Sequence, residues 1–190
     1  MAFYTLGDEG YGILEEKKGI EERRAAEAKE AGEVLGIASL EFLGYPDMGI
    51  PQDKAILQKT IALLRRSRPD VIFAHHLQDM HPDHRIVARL AQDAFIFAGL
   101  HVALKLGDPW TASALYLYEV LTPFSPTHIV DISEEFEKVQ EAWKRYRSQE
   151  LVTTHAFRHL EGLTRMRGAA IGAERGQGLL RTFPLPEKLA

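Results

Sequence analysis

Between Asp79 and Arg85 the chain reads Asp-Met-His-Pro-Asp-His-Arg. His81, Asp83 and His84, three side chains that can bind metal or move protons, fall within four residues. The apolar run Val71-Ile72-Phe73-Ala74 precedes the segment and a helical pattern follows it, so the cluster sits at the C-terminal end of a predicted strand. In open α/β sheets that is where ligands bind. Pro82 restricts the backbone between the two imidazoles. His84 stands at the start of the following helix, whose positive end favours a neutral, ligating imidazole over an imidazolium. Asp83 is placed to orient either ring. The competing reading is a capping loop; the chemistry this spacing suggests is metal-assisted hydrolysis.

The other histidines carry less. His75 and His76 end the same strand, so their side chains point to opposite faces and at most one can join the cluster. His155 and His159 have the i, i+4 spacing of paired helical ligands, but Ala156-Phe157-Arg158 between them lacks the glutamate of a zinc-protease helix. A solvated helix start explains them. The chain has no G-x-S-x-G elbow and no phosphate loop, and its glycines at 168, 172, 176 and 178 do not follow a strand.

The elements that must position the cluster are legible in the periodicity. Residues 2–6 read as a strand ended by Gly7-Asp8-Glu9-Gly10, and residues 20–35 as a helix stopped by Gly36. A short strand is expected at 40–43. A helix capped by Asp53 follows, with Leu57, Ile61 and Leu64 on one face, ending before Pro69. Residues 71–74 are short enough to be a strand buried on both faces. Ile86, Leu90, Ala94 and Phe97 mark a helix that stops near Gly99. Strands are expected at 114–120 and 129–132, a long helix from Ser133 toward Gln149, a final helix at 160–171 and an irregular tail from 176 to 190. Strands alternating with helices predict a three-layer, Rossmann-like α/β domain with a mainly parallel sheet.

At 190 residues, 45% hydrophobic and 26% charged, the chain has the size and composition of a single soluble domain. A net charge of −4 without a basic block excludes the electrostatic footprint of a nucleic-acid binder. The absence of cysteine excludes disulfides, thiolate metal sites and a cysteine nucleophile. No apolar run is long enough to span a membrane and the N-terminus has no signal-peptide pattern, so a cytoplasmic location is the expectation.

Several motifs in order give a sharper reading. Thr5-Leu6-Gly7-Asp8-Glu9-Gly10 is similar to a strand-end T-x-G-E-x-G, with Asp8 in the glutamate position. Arg24-Ala25-Ala26-Glu27 with Leu35-Gly36, Leu43-Gly44-Tyr45-Pro46-Asp47, His81-Pro82-Asp83-His84, Tyr146-Arg147-Ser148-Gln149 and the run from Arg165 to Gly172 follow. Together they resemble the PIG-L/LmbE-like family of zinc-dependent N-acetylglucosaminyl deacetylases over nearly the whole chain. The resemblance implies a hydrolase in which a metal-activated water attacks the acetamide of an N-acetylglucosamine-type conjugate and releases acetate and an amine. It makes His84 a zinc ligand, although its donor types would also admit iron, cobalt or nickel. It makes His81 the group that stabilises the oxyanion or protonates the amine, with Asp83 holding His81 in its tautomer. It places Arg24, Asp47 and Asp8 near the substrate. The plain reading of Arg24 is an i, i+3 surface pair with Glu27, and that of Asp8 is turn formation.

The family pattern opens with a strand and H-P-D-D-E, which supplies two further zinc ligands and a general base. This sequence opens after that stretch, so the expectation is an N-terminally incomplete deacetylase domain that lacks part of its metal site and has unpaired sheet edges. The expected partner is a small amino-sugar conjugate, with a homo-oligomer allowed. Two alternatives stay open: a non-catalytic relative that binds a sugar or regulates, and, more distantly, a metallo-β-lactamase-like hydrolase suggested by D-x-H-x-D-H at residues 79–84.

Overall fold

The computed structural model describes residues 1–150 and 155–183. Within them the elements run β1 (Ala2–Thr5), α1 (Ile20–Leu35), β2 (Glu41–Tyr45), α2 (Lys54–Ser67), β3 (Val71–His75), α3 (Pro82–Gly99), β4 (Ala114–Tyr118), β5 (His128–Asp131), α4 (Phe136–Trp143), α5 (Ala156–Ile171) and β6 (Gly176–Thr182). The chain divides into two compact units. One comprises Met1–Ile50 and Asp131–Gly176, the other Pro51–Val130 and the described residues from Gln177 onward.

In the first unit β1 and β2 pair in parallel, with Ala2 opposite Glu41 and Phe3 opposite Phe42. The two phenylalanine rings stack at 5.3 Å, the cross-strand contact that fixes the register. The chain crosses between these strands through α1, which buries Ile20, Ala28 and Ala31 and packs on α4. Gly36 ends α1 in the left-handed conformation at φ 70°, as a glycine just past a helix should. An apolar cavity of about 420 Å³ lies beside Phe3, Ala28, Leu40 and Trp143, and none of the chemistry-bearing residues lines it.

In the second unit β3 and β4 pair in parallel from Val71–Ala114 to His75–Tyr118. The strand order is β3-β4-β6-β5, and β6 runs antiparallel to β4. Ala74, Leu115 and Leu117 bury against Ala91 of α3. Ile61 of α2 meets Ala94 and Ala98 on the same helix. Asp53 caps α2 by accepting from the Ala55 and Ile56 amides at 2.8 and 3.0 Å, as its sequence position predicts. The fold is therefore mixed α/β with partly parallel sheets.

Several local expectations change. β3 is not buried on both faces: Phe73 is 57% exposed and Val71 39%. The region expected as a tail contains β6, because Leu179 and Leu180 pair with Tyr118 and Leu117 of β4; residues 184–190 lie outside the described residues. The long helix after Ser133 is shorter, Phe136–Trp143, with a separate 3₁₀ turn at Arg147–Gln149. Ser133 does not cap it; its hydroxyl instead donates to Asp131 at 2.6 Å and accepts from the Arg175 amide. The last helix starts four residues earlier than expected, at Ala156 after His155.

Candidate active site

The loop after β3 is held open by its own carboxylate. Asp79, 1% exposed, accepts at Oδ1 from the His81 amide at 2.9 Å and at Oδ2 from the Leu121 amide at 3.2 Å. Arg85, one turn into α3, donates to the Asp79 and Met80 carbonyls at 2.8 and 2.7 Å. The Met80 amide donates to the Thr122 hydroxyl at 3.0 Å. The segment is thus tied on one side to its own helix and on the other to the chain leaving β4. Pro82 occupies the first turn of α3, where its missing N–H costs nothing.

This framework sets the histidines. His81 is the N-cap of α3: its Nδ1 accepts from the Asp83 amide at 3.2 Å, and its side chain is 41% exposed. His84 lies a turn further in, with Nδ1 2.9 Å from Asp79 Oδ1. The His81 and His84 rings are 4.7 Å apart between centroids. His75 stacks on His84 at 4.0 Å and 17°, and its Nε2 lies 3.2 Å from the Tyr118 hydroxyl. His76 turns away, as strand alternation requires, and packs against Phe124. Sequence reasoning therefore brought His81, Asp83 and His84 to one place and allowed one of His75 and His76 to join them, which His75 does, but it gave no role to Asp79 and missed Tyr118. Of these, Asp79 had a signal in its position five residues before His84. Tyr118 had none, because only the β3–β4 register puts it beside His75.

The Asp83 carboxyl does not act as expected on His81. Its Oδ2 is 4.0 Å from His81 Nδ1, beyond hydrogen-bond length, and the backbone amide of the same residue takes that nitrogen.

The electrostatics follow from burial. Burial and the neighbouring His84 push the His75 pKa down to about 3, so this ring is neutral at physiological pH. Burial also lowers the His84 pKa, partly offset by Asp79. For Asp79 burial alone would raise the pKa. The His81 amide, the His84 ring and the Leu121 amide outweigh it, so the carboxylate stays ionised.

Among the described residues no three histidine, cysteine, aspartate or glutamate side chains gather as a group that could hold a metal. A catalytic zinc takes three protein ligands. The described residues alone do not fit the ion.

In the first unit the other expected residues meet. Asp8 Oδ1 accepts from the Asp47 amide at 2.6 Å, and Asp47 Oδ2 accepts from the Glu9 amide at 3.2 Å, so the two carboxylates lace the loop after β1 to the turn after β2. Arg24 is 4% exposed, not a surface residue. Its Nη2 donates to the Gly10 carbonyl, while Nε and Nη1 are buried without a partner. Glu27, equally buried, does not pair with it on the surface; it accepts from the Ser148 amide and hydroxyl at 2.9 and 2.6 Å. Burial presses the Arg24 pKa down, and Glu27 and Asp47 oppose that. An arginine under those opposing influences remains charged.

The sequence model of the family described as PIG-L, GlcNAc-PI de-N-acetylase, matches residues 1–95. The conserved protein TT1542 from Thermus thermophilus is 31% identical with a TM-score of 0.86, over 98% of this chain and 82% of that one. The N,N'-diacetylchitobiose deacetylase from Pyrococcus horikoshii, solved with an inhibitor, is 25% identical with a TM-score of 0.86, over 95% of this chain and 71% of that one. The 4-carboxy-2-hydroxymuconate hydratase GalB from Pseudomonas putida is also 25% identical, with a TM-score of 0.81, over 100% of this chain and 86% of that one.

Proposed function

The chain belongs to the PIG-L family, the GlcNAc-PI de-N-acetylases, and on that premise we propose that it is an N-deacetylase acting on the acetamide of a small amino-sugar conjugate. The observation that supports this best is His81-Pro82-Asp83-His84 at the C-terminal end of β3, with both imidazoles held by named partners. Hydrolysis adds water across the amide: the carbonyl carbon gains an oxygen, the C–N bond breaks, and the nitrogen leaves as an amine once it has a proton. His81, the more exposed ring, is the group assigned to the developing oxyanion or to that proton. Asp83 acts through its backbone amide on His81. Arg24, with two unpartnered nitrogens, is assigned to substrate oxygens, and Asp8 and Asp47 to shaping the loops around it. Zinc is the ion the family resemblance implies, with His84 as one ligand. Since the described residues offer no second and third, the protein's own share of the chemistry is assigned without it.

The hydratase likeness favours one second reading, water addition to an unsaturated carboxylate at the same histidines. The experiment is acetate and free-amine release from N-acetylglucosamine and its glycosides, run beside water addition to a hydroxymuconate-type acid. Amine release that His81→Ala cuts by about 10²–10⁴ supports the deacetylase. Hydration without amine release, or full turnover by His81→Ala, overturns it.

A further inference from the structure

His81 and His84 are three residues apart on adjacent positions of one helix start, yet their Nδ1 atoms face opposite kinds of partner. Nδ1 of His81 receives a backbone N–H, that of Asp83, at 3.2 Å. An amide nitrogen can only donate, so this ring nitrogen must carry the lone pair and the proton must sit on Nε2. Nδ1 of His84 faces Asp79 Oδ1 at 2.9 Å. An ionised carboxylate can only accept, so this ring nitrogen must carry the proton and Nε2 the lone pair.

From this geometry we propose that Asp79 is a positioning residue that holds His84 as the Nδ1–H tautomer while the Asp83 amide holds His81 as the Nε2–H tautomer, so that the paired rings present one donor and one lone pair side by side. The rings are 4.7 Å apart between centroids, within reach of one small substrate group. A carboxamide undergoing attack can use the donor for its oxygen or its departing nitrogen. Asp79 can hold this role because it is fixed independently of His84. It is 1% exposed, its Oδ2 is anchored by the Leu121 amide at 3.2 Å, and its Oδ1 also accepts from the His81 amide. His75 prevents the alternative ring flip, because it stacks on His84 at 4.0 Å and is itself tied to Tyr118 at 3.2 Å. One carboxylate thus braces the His81 backbone and the His84 ring together. The proposal deepens the deacetylase reading in giving the pair a task, but the tautomers follow from the contacts alone, whatever the substrate.

Imidazole nitrogen shifts distinguish protonated from unprotonated ring nitrogens directly. The test is a long-range proton–nitrogen correlation spectrum of the full chain, ¹⁵N-labelled, in EDTA at pH 8, with signals assigned from His81→Gln and His84→Gln. The expected result is almost complete Nδ1–H for His84 and almost complete Nε2–H for His81. In Asp79→Ala the His84 population should move to Nε2–H, the form a free imidazole side chain prefers, with His81 unchanged. Asp79→Asn, of the same shape, serves if the alanine variant does not fold; its neutral amide should lower the His84 Nδ1–H share in the same direction. The same tautomer on both rings of the unsubstituted chain, or an unchanged His84 in a folded Asp79 variant, overturns the proposal. Absence of deacetylase activity with the two tautomers as stated would count against the functional reading and leave this one standing.

Discussion

Arg24 is the residue whose environment makes least sense without a ligand. Two guanidinium nitrogens are buried and unpartnered in the folded chain, and a buried donor left unsatisfied costs about 1–3 kcal/mol. Replacing such a group by an apolar side chain of similar length is often neutral or stabilising. Arg24→Met should therefore change unfolding free energy by no more than about 1 kcal/mol while raising KM by roughly 10–100-fold, the loss of one charge-assisted contact. Urea unfolding and steady-state kinetics on one preparation check both halves; a large loss of stability with unchanged KM would make Arg24 a structural residue. His75 gives the second prediction, and the sign is fixed by linkage. Its folded pKa, about 3, lies below its ordinary 6.5. Between those values the unfolded chain binds the extra proton, so stability rises with pH across that window. The contribution is fully present above about pH 6.5 and is lost as pH falls toward 3. His76 and His84, also lowered, act in the same direction. Asp79, lowered from 3.8, acts only below the carboxylate range. His75→Phe should remove roughly 1–2 kcal/mol of the stability lost between pH 7 and pH 5. Urea midpoints at the two pH values measure it, and an unchanged pH dependence would show that the buried ring does not resist protonation.

Among the elements, a single side chain from α2 gathers the carbonyls at the end of α3, three of which (Phe97, Ala98 and Ala103) also accept from a backbone amide. Arg65, 3% exposed, donates to the carbonyls of Phe97, Ala98, Leu100, Val102, Ala103 and Gly107 at 2.8 to 3.2 Å. Those are the last carbonyls of α3 and the loop beyond it, groups a helix terminus leaves without intrahelical partners. Arg65→Met should cost about 3–5 kcal/mol, because it orphans several buried acceptors at once. Arg65→Lys should recover only part of this, since one ammonium cannot reach six carbonyls in the planar fork arrangement. Chemical denaturation of the three proteins tests the order. Arg65 also shows where sequence reading stops. The apolar face of α2 at Leu57, Ile61 and Leu64 was legible from spacing, and so was Asp53 as its cap, because both are local regularities. Arg65 is a basic residue in the last turn of α2 with no local pattern to mark it, and its acceptors lie more than thirty residues away. The same division runs through the site. His81 and His84 were legible because they are close in sequence; Arg24 beside Gly10, Glu27 on Ser148 and Tyr118 on His75 are tertiary meetings, and composition does not encode them. β6 was missed because Gly176, Gly178 and the prolines beyond it read as loop, whereas pairing with β4 overrode that propensity.

At the scale of the whole molecule, the sheets leave open edges. Among the described residues β1 pairs only with β2, and β3 only with β4. An edge strand offers a row of unpaired backbone groups, and natural proteins blunt such edges with charge, bulges or a covering element. Among the described residues none of these lies at the centre of β3: Phe73 is 57% exposed beside Val71 at 39%, and its ring stacks on Tyr116 of the neighbouring strand. An apolar residue on an exposed edge gives a second β-structure both backbone pairing and buried area, so this chain should associate as its concentration rises. A net charge of −4 spread over 190 residues is too small to oppose that strongly. Phe73→Lys places a charge where a partner strand's side chains would pack, without removing any group of the histidine cluster. It should shift the chain toward monomer, seen as a lower weight-average mass by light scattering across a concentration series. Its ring also covers Tyr116, so a stability loss on the order of 1 kcal/mol accompanies the change. If the lysine variant associates as strongly as the original chain, the edge of β3 is not the contact, and the remaining edge strands, β1, β2 and β5, become the ones to charge next.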